Sequence, residues 1–409
     1  MTSDPRSPVR RFVEEENSSP CEIMSICLPV PTDHKDLIHD VALDYYGRRM
    51  ATCSSDQSVK IWDLQDDGTW RCTANWKTHA GSVWKVTWAH PLYGQLIATC
   101  SFDRTAALWE ETVGDGSSVA QSHWVKRTSM VDSRGSVSDV QFAPKHLGLQ
   151  IVTTAADGVI RIYENIDQSN LSQWQLVHEI SSKFAGCSCA SWSQSRLLPQ
   201  ILAVGSYDEA PSTGKVVLFE LVDQGRKWIK IETLNSITEP VHDLTFANTL
   251  GRSFHILAVA AKDLHIVSIT PSVKRSSSAS NLHSNQQSAS LLTQPRAYDI
   301  RLLALLKDHQ STVWRVSWNI TGTILASSGD DGYIRLWRSN FTSAWRCVAV
   351  IRGDGTLQTE GEGGGSSNRK LSNSETLDLS HNAQSQNFLS GFSLPKTASP
   401  ALTFQKWSS

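Results

Sequence analysis

Short apolar segments recur along this chain, and each is followed further on by a polar turn that contains an Asp. In the four strongest units an aromatic residue lies six positions after that Asp. The first apolar segments of these units begin at Ile38, Val83, Val137 and Val313, and the pairs are Asp56/Trp62, Asp103/Trp109, Asp157/Tyr163 and Asp331/Trp337. Short apolar runs bounded by turn residues are typical of buried β-strands. The pattern therefore predicts a repeated unit made of strands.

Two weaker units fill the gap between the third and the last of these. One runs from Cys187 to Phe219, and the other runs from Val241 to Ile266. The closest repeat lies near the two ends: residues 79–88 read His-Ala-Gly-Ser-Val-Trp-Lys-Val-Thr-Trp, and residues 309–318 read His-Gln-Ser-Thr-Val-Trp-Arg-Val-Ser-Trp. Six units at intervals of about 45–70 residues match four-stranded propeller blades with insertions. We therefore expect an all-β, six-bladed β-propeller.

Each strong unit also carries side chains that can form a buried hydrogen-bond chain. A hydroxyl stands four residues before the Asp, and three units place a His four residues before the first strand. Asp accepts a hydrogen bond from His, and a buried indole N–H needs an acceptor. The expected stapling residues are His34, Thr52, Asp56 and Trp62; His79, Thr99, Asp103 and Trp109; Thr153, Asp157 and Tyr163; and His309, Ser327, Asp331 and Trp337. Val204 and Val259 take the hydroxyl position in the weaker units, which are predicted to hold together by packing alone.

The number of strands predicts an incomplete ring. A fourth strand follows the third in the first unit (residues 70–76) and in the sixth (residues 345–351). The apolar stretch Cys21–Leu28 then takes the place of the outer strand of a seventh blade that lacks its other three strands. An open wedge exposes sheet edges and apolar surface that soluble proteins rarely leave uncovered. A partner chain that supplies three strands by β-augmentation is the economical solution.

Three stretches extend the similarity into loops that a generic propeller leaves free. Residues 33–40 read Asp-His-Lys-Asp-Leu-Ile-His-Asp, residues 122–128 read Ser-His-Trp-Val-Lys-Arg-Thr, and residues 314–323 read Trp-Arg-Val-Ser-Trp-Asn-Ile-Thr-Gly-Thr. With the repeated His, Asp and Trp, these stretches closely resemble the Seh-type WD-repeat nucleoporins, the sister family of the Sec-type coat propellers. The resemblance covers residues 33–352 and leaves out both ends and the Ser-rich insertion.

The resemblance implies a specific function. It implies an open six-bladed propeller whose seventh blade is completed in trans by a helical-solenoid nucleoporin. It also implies a non-enzymatic scaffold role, with other outer-ring subunits, in the Y-shaped complex of the nuclear pore that supports nucleocytoplasmic transport and mRNA export. Members of the family also serve in the amino-acid-sensing complex that acts on TOR kinase. The expected locations are the nuclear pore, the lysosomal membrane surface and the kinetochore.

Composition narrows the possible functions further. A formal net charge of -2 gives no basic footprint, so direct nucleic-acid binding is not expected. No apolar run approaches the roughly 18 residues of a membrane helix, so we expect membrane association only through partners. The N-terminus lacks an apolar signal core, which indicates a cytosolic or nuclear protein. Phosphate-loop, nucleophile-elbow and His-Glu-x-x-His motifs are absent from the sequence, so no cofactor, metal or enzymatic activity is expected.

Polar, low-complexity segments divide the chain. Residues 1–20 are predicted to be a disordered arm, 21–352 the propeller, and 353–409 a disordered tail. The Ser-rich stretch 274–297 interrupts the fifth unit and is predicted to be a flexible loop on the rim.

Equivalent positions of the first strands are expected at equivalent radii, and so at one mouth of the channel. The third residues of these strands are Asp40, Lys85, Asp139, Asp243 and Arg315, whose charges favour ion pairs between blades. The candidates for contact with a partner are Ile38, His39, Asp40, Trp84, Trp314 and Arg315. Two other functions remain open: a vesicle-coat cage subunit, and a peptide-recognition propeller, such as a ubiquitin-ligase substrate receptor, that uses the ring around Trp84 and Trp314.

Overall fold

The computed structural model describes residues 30–113, 122–167, 169–209, 214–222, 227–272, 296–340, 344–352 and 357–358. Within these residues the chain forms twenty-five β-strands and two single 3-10 turns, Pro91–Tyr93 and Lys145–Leu147. None of the helical segments in this part of the chain has the length and apolarity to cross a membrane. The all-β prediction is confirmed.

The strands form six sheets, one for each predicted unit. The first three blades contain β1 (Ile38–Leu43), β2 (Arg49–Ser54), β3 (Ser58–Leu64) and β4 (Trp70–Lys77); β5 (Val83–Trp88), β6 (Leu96–Ser101), β7 (Ala106–Val113) and β8 (Ser122–Met130); and β9 (Val137–Phe142), β10 (Gln150–Ala155), β11 (Val159–Asn165) and β12 (Trp174–Ser181). The last three contain β13 (Cys189–Trp192), β14 (Ile201–Gly205), β15 (Val216–Val222) and β16 (Lys227–Thr233); β17 (Asp243–Phe246), β18 (His255–Ala260), β19 (Leu264–Ser272) and β20 (Ala297–Leu306); and β21 (Val313–Trp318), β22 (Ile324–Gly329), β23 (Tyr333–Ser339), β24 (Trp345–Arg352) and β25 (Leu357–Gln358).

Every blade is an antiparallel meander in chain order, so its first strand is innermost and its fourth lies on the rim. Middle strands are almost wholly buried, as in Leu96–Ser101 and Ile201–Gly205, whereas rim strands alternate between covered and exposed residues, as in Trp70–Lys77. This difference follows from packing, since a middle strand is covered on both faces by neighbouring blades. The fourth strands predicted for the first and sixth blades are confirmed as β4 and β24.

Buried apolar side chains join each blade to the next one in the chain. Five clusters lie between consecutive blades, from the first pair, around Val59 and Trp109, to the last pair, around Ile266 and Val316. A sixth, smaller cluster contains Ala326, Ile334, Leu336 and Ile351, all of which belong to blade 6. In the part of the chain that is described, none of these clusters joins blade 6 to blade 1.

One strand departs from the sequence-based expectation. The tail was expected to be disordered from residue 353, but Leu357 and Gln358 form β25, which pairs with β24 opposite Ile351 and Val350. The free edge of a rim strand presents unpaired backbone groups, and a following segment of the same chain can pair with them. The N-terminal arm, the predicted strand Cys21–Leu28, residues 274–295 of the insertion and the rest of the predicted tail lie outside the described residues.

Candidate functional site: the channel mouth and the boundary between blades 6 and 1

The predicted stapling residues lie together in blades 1, 2 and 6. In blade 1, the Nδ1–H of His34 donates to Asp56 Oδ2 at 2.9 Å and the Thr52 hydroxyl donates to His34 Nε2 at 2.9 Å. The indole N–H of Trp62 donates to the same Thr52 oxygen at 3.1 Å. These bonds link the loop before β1 to β2, β3 and the turn between them, so one network spans most of the blade.

Blades 2 and 6 repeat this geometry. His79 lies 3.1 Å from Asp103 and 2.8 Å from Thr99, which accepts from Trp109 at 3.2 Å. The blade 6 network has the same three distances at 2.9, 2.7 and 2.8 Å and consists of His309, Asp331, Ser327 and Trp337.

The three imidazoles of these networks are neutral at neutral pH. Burial lowers the pKa of His34, His79 and His309, and the nearby Asp only partly offsets this effect. A neutral imidazole has one donor and one acceptor nitrogen, and the network uses both. In blade 1, burial alone raises the pKa of Asp56, but hydrogen bonds from Ser58, His34 and the Lys35 amide outweigh it and hold that pKa well below its usual range.

Blade 3 differs from the predicted network. The Tyr163 hydroxyl donates to Asp132 Oδ2 at 3.0 Å rather than to Thr153, and Asp157 pairs with Arg161 at 2.9 Å. Ser133 stands at the position that His takes in blades 1, 2 and 6, and it accepts from Arg161 at 3.3 Å. A phenol reaches further than an indole N–H, and a guanidinium replaces the missing imidazole as the donor. The expectation that Thr153 staples this blade is therefore wrong.

Blades 4 and 5 are apolar at the same positions. Val204 and Val259 are fully buried within the clusters that blades 4 and 5 share with their neighbours. Neither residue has a hydroxyl, so these two blades contain no equivalent of the network.

A β-bulge shapes the mouth of the channel. In blades 1, 2, 3 and 6 the strand register shifts between the first and third residues of the innermost strand. A bulge leaves one residue unpaired and changes the direction of its side chain. The bulged second residues include His39, whose ring packs at a tilt of 42° against Trp84, with centroids 4.4 Å apart. At the other end of the chain, His242 packs against Trp314 at 4.3 Å.

The third residues of β1, β5 and β21 and the first residue of β17 bring charges together in the channel. Lys85 Nζ lies 3.9 Å from Asp243 Oδ1, and Arg315 Nε lies 4.0 Å from Asp40 Oδ1. The close ion pair of Lys85 is with blade 5, and Asp40 of the neighbouring blade 1 also acts on it electrostatically. Burial alone lowers the pKa of Lys85, but the carboxylates of Asp40 and Asp243 outweigh it and raise that pKa above its ordinary value. Both bases are therefore charged at neutral pH.

Backbone groups join the blades at the same depth. The amides of Val86, Ala190 and Val316 each donate to an Asp of the preceding blade: Asp40 at 3.2 Å, Asp139 at 2.8 Å and Asp243 at 3.1 Å. Asp139 and Asp243 also accept, with their second oxygen, the amide of their own next residue at 2.8 and 3.1 Å. These joints were not identified from the sequence.

The blades therefore alternate in type around the ring. The aligned position, called the third position below, is the third residue of β1, β5, β9 and β21 and the first residue of the shorter strands β13 and β17. Odd-numbered blades have Asp at this position of the first strand, whereas even-numbered blades have Lys85, Cys189 and Arg315. Even-numbered blades also end this strand in Trp, and the indoles of Trp88 and Trp318 donate to Ala42 O at 3.0 Å and Thr245 O at 3.1 Å in the preceding blade. A comparison of every second repeat would have shown this alternation in the sequence.

The boundary between blades 6 and 1, called the 6–1 boundary below, lacks the packing found at the other five. The first and fourth residues of β5, β9 and β21 are buried, but all six residues of β1 are only half-buried. The recorded contacts across this boundary involve Arg315, which donates to His39 O at 3.0 Å and pairs with Asp40. The interface candidates Ile38, His39, Asp40 and Arg315 thus lie at or beside the 6–1 boundary, and Trp84 and Trp314 lie at the mouth.

Other chemistry is sparse in the described part of the chain. Its His, Cys, Asp and Glu residues form no group of three or more that could hold a metal ion. Burial raises the pKa of Cys53, Cys100 and Cys189, and the carboxylates Asp40, Asp139 and Asp243 near them add to the effect. These thiols stay protonated and act as small apolar side chains.

The blade geometry defines the chain as a WD-repeat β-propeller. Consistent with this, the family model described as "WD domain, G-beta repeat" matches residues 25–63, 70–110 and 300–338. The chain is 54% identical over 337 residues to Nucleoporin SEH1-A of Xenopus laevis. The matched region covers 81% of this chain and 90% of that protein. It is 53% identical over 353 residues to Nucleoporin SEH1 of Homo sapiens, with 85% and 94% covered. It is 54% identical over 338 residues to Nucleoporin SEH1 of Danio rerio, with 81% and 89% covered. The chain belongs to the SEH1 nucleoporin family, as the resemblance indicated.

Proposed function

We propose that this chain is a non-enzymatic scaffold subunit of the nuclear pore complex, and that a partner chain completes its propeller at the 6–1 boundary. The nucleoporin relatives cover most of the chain and support the pore role. A propeller built from repeated units supplies surfaces rather than reactive groups, which suits a scaffold.

The 6–1 boundary is the observation that carries this proposal. The sixth apolar cluster ends within blade 6, and β1 is half-buried along its whole length. Each of the other five boundaries shares a continuous apolar core between two blades. A blade added in trans packs against both walls of the boundary. It does not require any strand of this chain to give up an existing partner strand.

The finer parts of the proposal concern partners and location. The expected donor is a helical-solenoid nucleoporin that contributes three strands beside Cys21–Leu28, with other outer-ring subunits bound to the remaining surface. Support of mRNA export, a second role in TOR kinase signalling, and locations at the lysosomal surface and the kinetochore follow from the family resemblance and belong to the same proposal.

The two aromatic residues that favoured a peptide receptor already have contacts within the chain. Trp84 packs against the His39 ring, and Trp314 packs against the His242 ring and donates to Asp330 Oδ1 at 2.6 Å. Contacts of this kind fit side chains that stabilise the mouth of the channel. We therefore favour the scaffold role over a peptide receptor that binds ligands around these two Trp residues.

Hydrogen exchange and thermal melts test the proposal. The tagged full chain is purified with its stoichiometric partner and compared with the chain alone. Binding only to the folded chain stabilises it by about 2.7 kcal/mol when the partner is at 100 times its Kd, so the melting temperature rises. Exchange should slow in Ile38–Leu43 and Val313–Trp318, and Gln150–Ala155 in blade 3 serves as the internal control. If exchange in Ile38–Leu43 and Val313–Trp318 is as fast with the partner as without it, the proposal is contradicted.

A further inference from the structure

The innermost strand of every blade presents one amide that its own sheet does not bind. In blade 1, Asp44 N donates to Arg49 O at 2.8 Å, which makes Asp44 and Arg49 a hydrogen-bonded pair. Bonded and non-bonded pairs alternate along an antiparallel ladder. The opposed pair Val41 and Thr52 is therefore non-bonded, and the Val41 N–H points away from β2. The residue that follows the third position has the same place in the other blades: Val86, Val140, Ala190, Leu244 and Val316.

Five of these six amides have a carboxylate acceptor. The amides of Val86, Ala190 and Val316 donate to the Asp of the preceding blade. Those of Val140 and Leu244 follow blades that have Lys85 and Cys189 instead of Asp, and they donate to their own Asp139 and Asp243. A backbone N–H that lacks a partner away from water is costly, which explains why an acceptor recurs at this depth.

Val41 is the exception. Its N–H points away from β2, and among the described residues no side chain or loop carbonyl accepts a hydrogen bond from it. Asp40 does not accept it as Asp139 and Asp243 accept the equivalent amides: its Oδ2 holds Val86 N, and its Oδ1 lies 4.0 Å from Arg315 Nε. Among the described residues, the Val41 amide therefore has no carboxylate acceptor, while the Arg315 guanidinium at the same boundary donates to the His39 carbonyl and lies 4.0 Å from Asp40.

We propose that the partner's innermost strand carries an Asp at its third position, and that this carboxylate accepts the Val41 N–H and pairs with Arg315. The inference rests on the proposed function, because it names the chemistry of the strand that completes the ring. The partner's blade follows blade 6, which has Arg315 at the third position and offers no acceptor. Blades 3 and 5 also follow blades that offer no carboxylate at this position, and each carries its own Asp.

The geometry of blades 3 and 5 shows how one Asp serves two blades. One oxygen caps the next amide of its own strand, and the other accepts the amide of the following blade, with all four N···O distances between 2.8 and 3.1 Å. In the completed ring, the partner's Asp takes the same place between blade 6 and blade 1. A Glu adds a methylene that moves the carboxylate away from both amides, so the structure favours Asp.

The first test is a structure of the full chain with the stoichiometric partner purified from cells. A partner strand beside β1 with Asp at the third position, and its carboxylate within 3.2 Å of Val41 N, supports the inference. A partner strand there with an apolar third residue, and Val41 N held by Asp40, overturns the inference but leaves the proposed function standing. Absence of any partner strand at the boundary overturns the proposed function, and this inference with it.

The second test measures affinity. Replacement of the partner's Asp by Leu leaves the Val41 amide without an acceptor and removes a carboxylate from Arg315, so Kd should rise about tenfold or more. In this chain, Arg315→Gln should weaken binding of the unchanged partner, and its effect should shrink when the partner already carries Leu. Lys85→Gln is the control for a charge lost from the same channel: Lys85 acts on Asp243 and Asp40 of this chain, so its effect on Kd should be the same with the Asp partner and the Leu partner.

Additive effects of Arg315→Gln and the partner's Leu substitution would overturn the inference. Melts of each free chain show which variants are folded. Hydrogen exchange of the Val41 amide gives an independent reading: it should be protected with the Asp partner and exposed with the Leu partner, while Ala42 stays protected in both.

Discussion

Blades 6, 1 and 2, which include both blades at the 6–1 boundary, differ from the adjacent pair of blades 4 and 5. Each of the first three has a network of imidazole, hydroxyl, carboxylate and indole. Blades 4 and 5 have Val204 and Val259 at the hydroxyl position and are packed on both sides by apolar clusters that they share with neighbours. Hydrogen bonds within a blade and packing between blades are therefore alternative means of holding its strands together.

Blade 2 shows the limit of this interpretation. It shares clusters with both neighbours and nevertheless keeps the full network, so a missing neighbour is not required for one. The comparison supports a narrower conclusion: the network is absent only from blades that pack against a neighbouring blade on both sides. Blades 1 and 6, each with one wall at the 6–1 boundary, retain it.

The largest expected effect is the loss of a network Trp. Trp337→Ala should lower the free energy of unfolding by about 3–5 kcal/mol, because it empties a buried site and leaves Ser327 without its indole donor. Trp314→Ala in the same blade is the matched control, since Trp314 is 39% exposed and should cost much less. Denaturant melts measure both, and equal losses would contradict the role assigned to Trp337.

A reciprocal exchange tests the comparison directly. Thr99→Val in blade 2 keeps the shape but leaves the Trp109 indole and His79 without a partner, and should cost about 2–3 kcal/mol. Val259→Thr in blade 5 buries a hydroxyl in an apolar cluster and should cost about 1–2 kcal/mol. If Thr99→Val proves harmless in chemical denaturation, packing alone holds blade 2 as well, and the two kinds of blade do not differ.

Acid should weaken the fold through its buried imidazoles. Burial lowers the pKa of His242 to about 4, and Arg315 contributes in the same direction. Between that value and the unfolded pKa near 6.5 the unfolded chain binds more protons, so stability is full above pH 6.5 and falls as the pH drops towards 4. Each such His contributes up to about 1.4 kcal/mol per pH unit in this window. His242→Gln should reduce the slope of unfolding free energy against pH between pH 4 and 6.5. If the variant and the original chain show the same slope, His242 is not a source of the acid sensitivity.

Removal of part of the Ser-rich insertion should have the smallest effect. Deletion of residues 276–292 shortens the connection between β19 and β20 and keeps Arg296, whose amide donates to the buried Glu220 at 3.0 Å. Loop closure depends weakly on loop length, so the melting temperature and partner binding should stay unchanged. A large loss of soluble protein would mean that the segment is structured and that the predicted flexible loop is wrong.

The sequence allowed prediction of the six blades, of their four strands and of the networks in blades 1, 2 and 6. These features depend on residues at fixed spacings within one repeat, so each is visible locally. The prediction failed for Tyr163, whose partner Asp132 stands outside the repeated positions. It also missed the joints made by Asp139 and Asp243, because a backbone amide leaves no trace in the side-chain pattern.

The sequence by itself determined the kind of fold and its repeat, since alternating apolar segments and turn residues can bury their apolar faces only by stacking sheet against sheet. Tertiary structure decided how the blades meet. The amides of the bulged innermost strands converge on the channel, and which carboxylate each one binds depends on the type of the preceding blade. At the 6–1 boundary no described blade precedes blade 1, and the Val41 amide is the group that this leaves without a carboxylate acceptor.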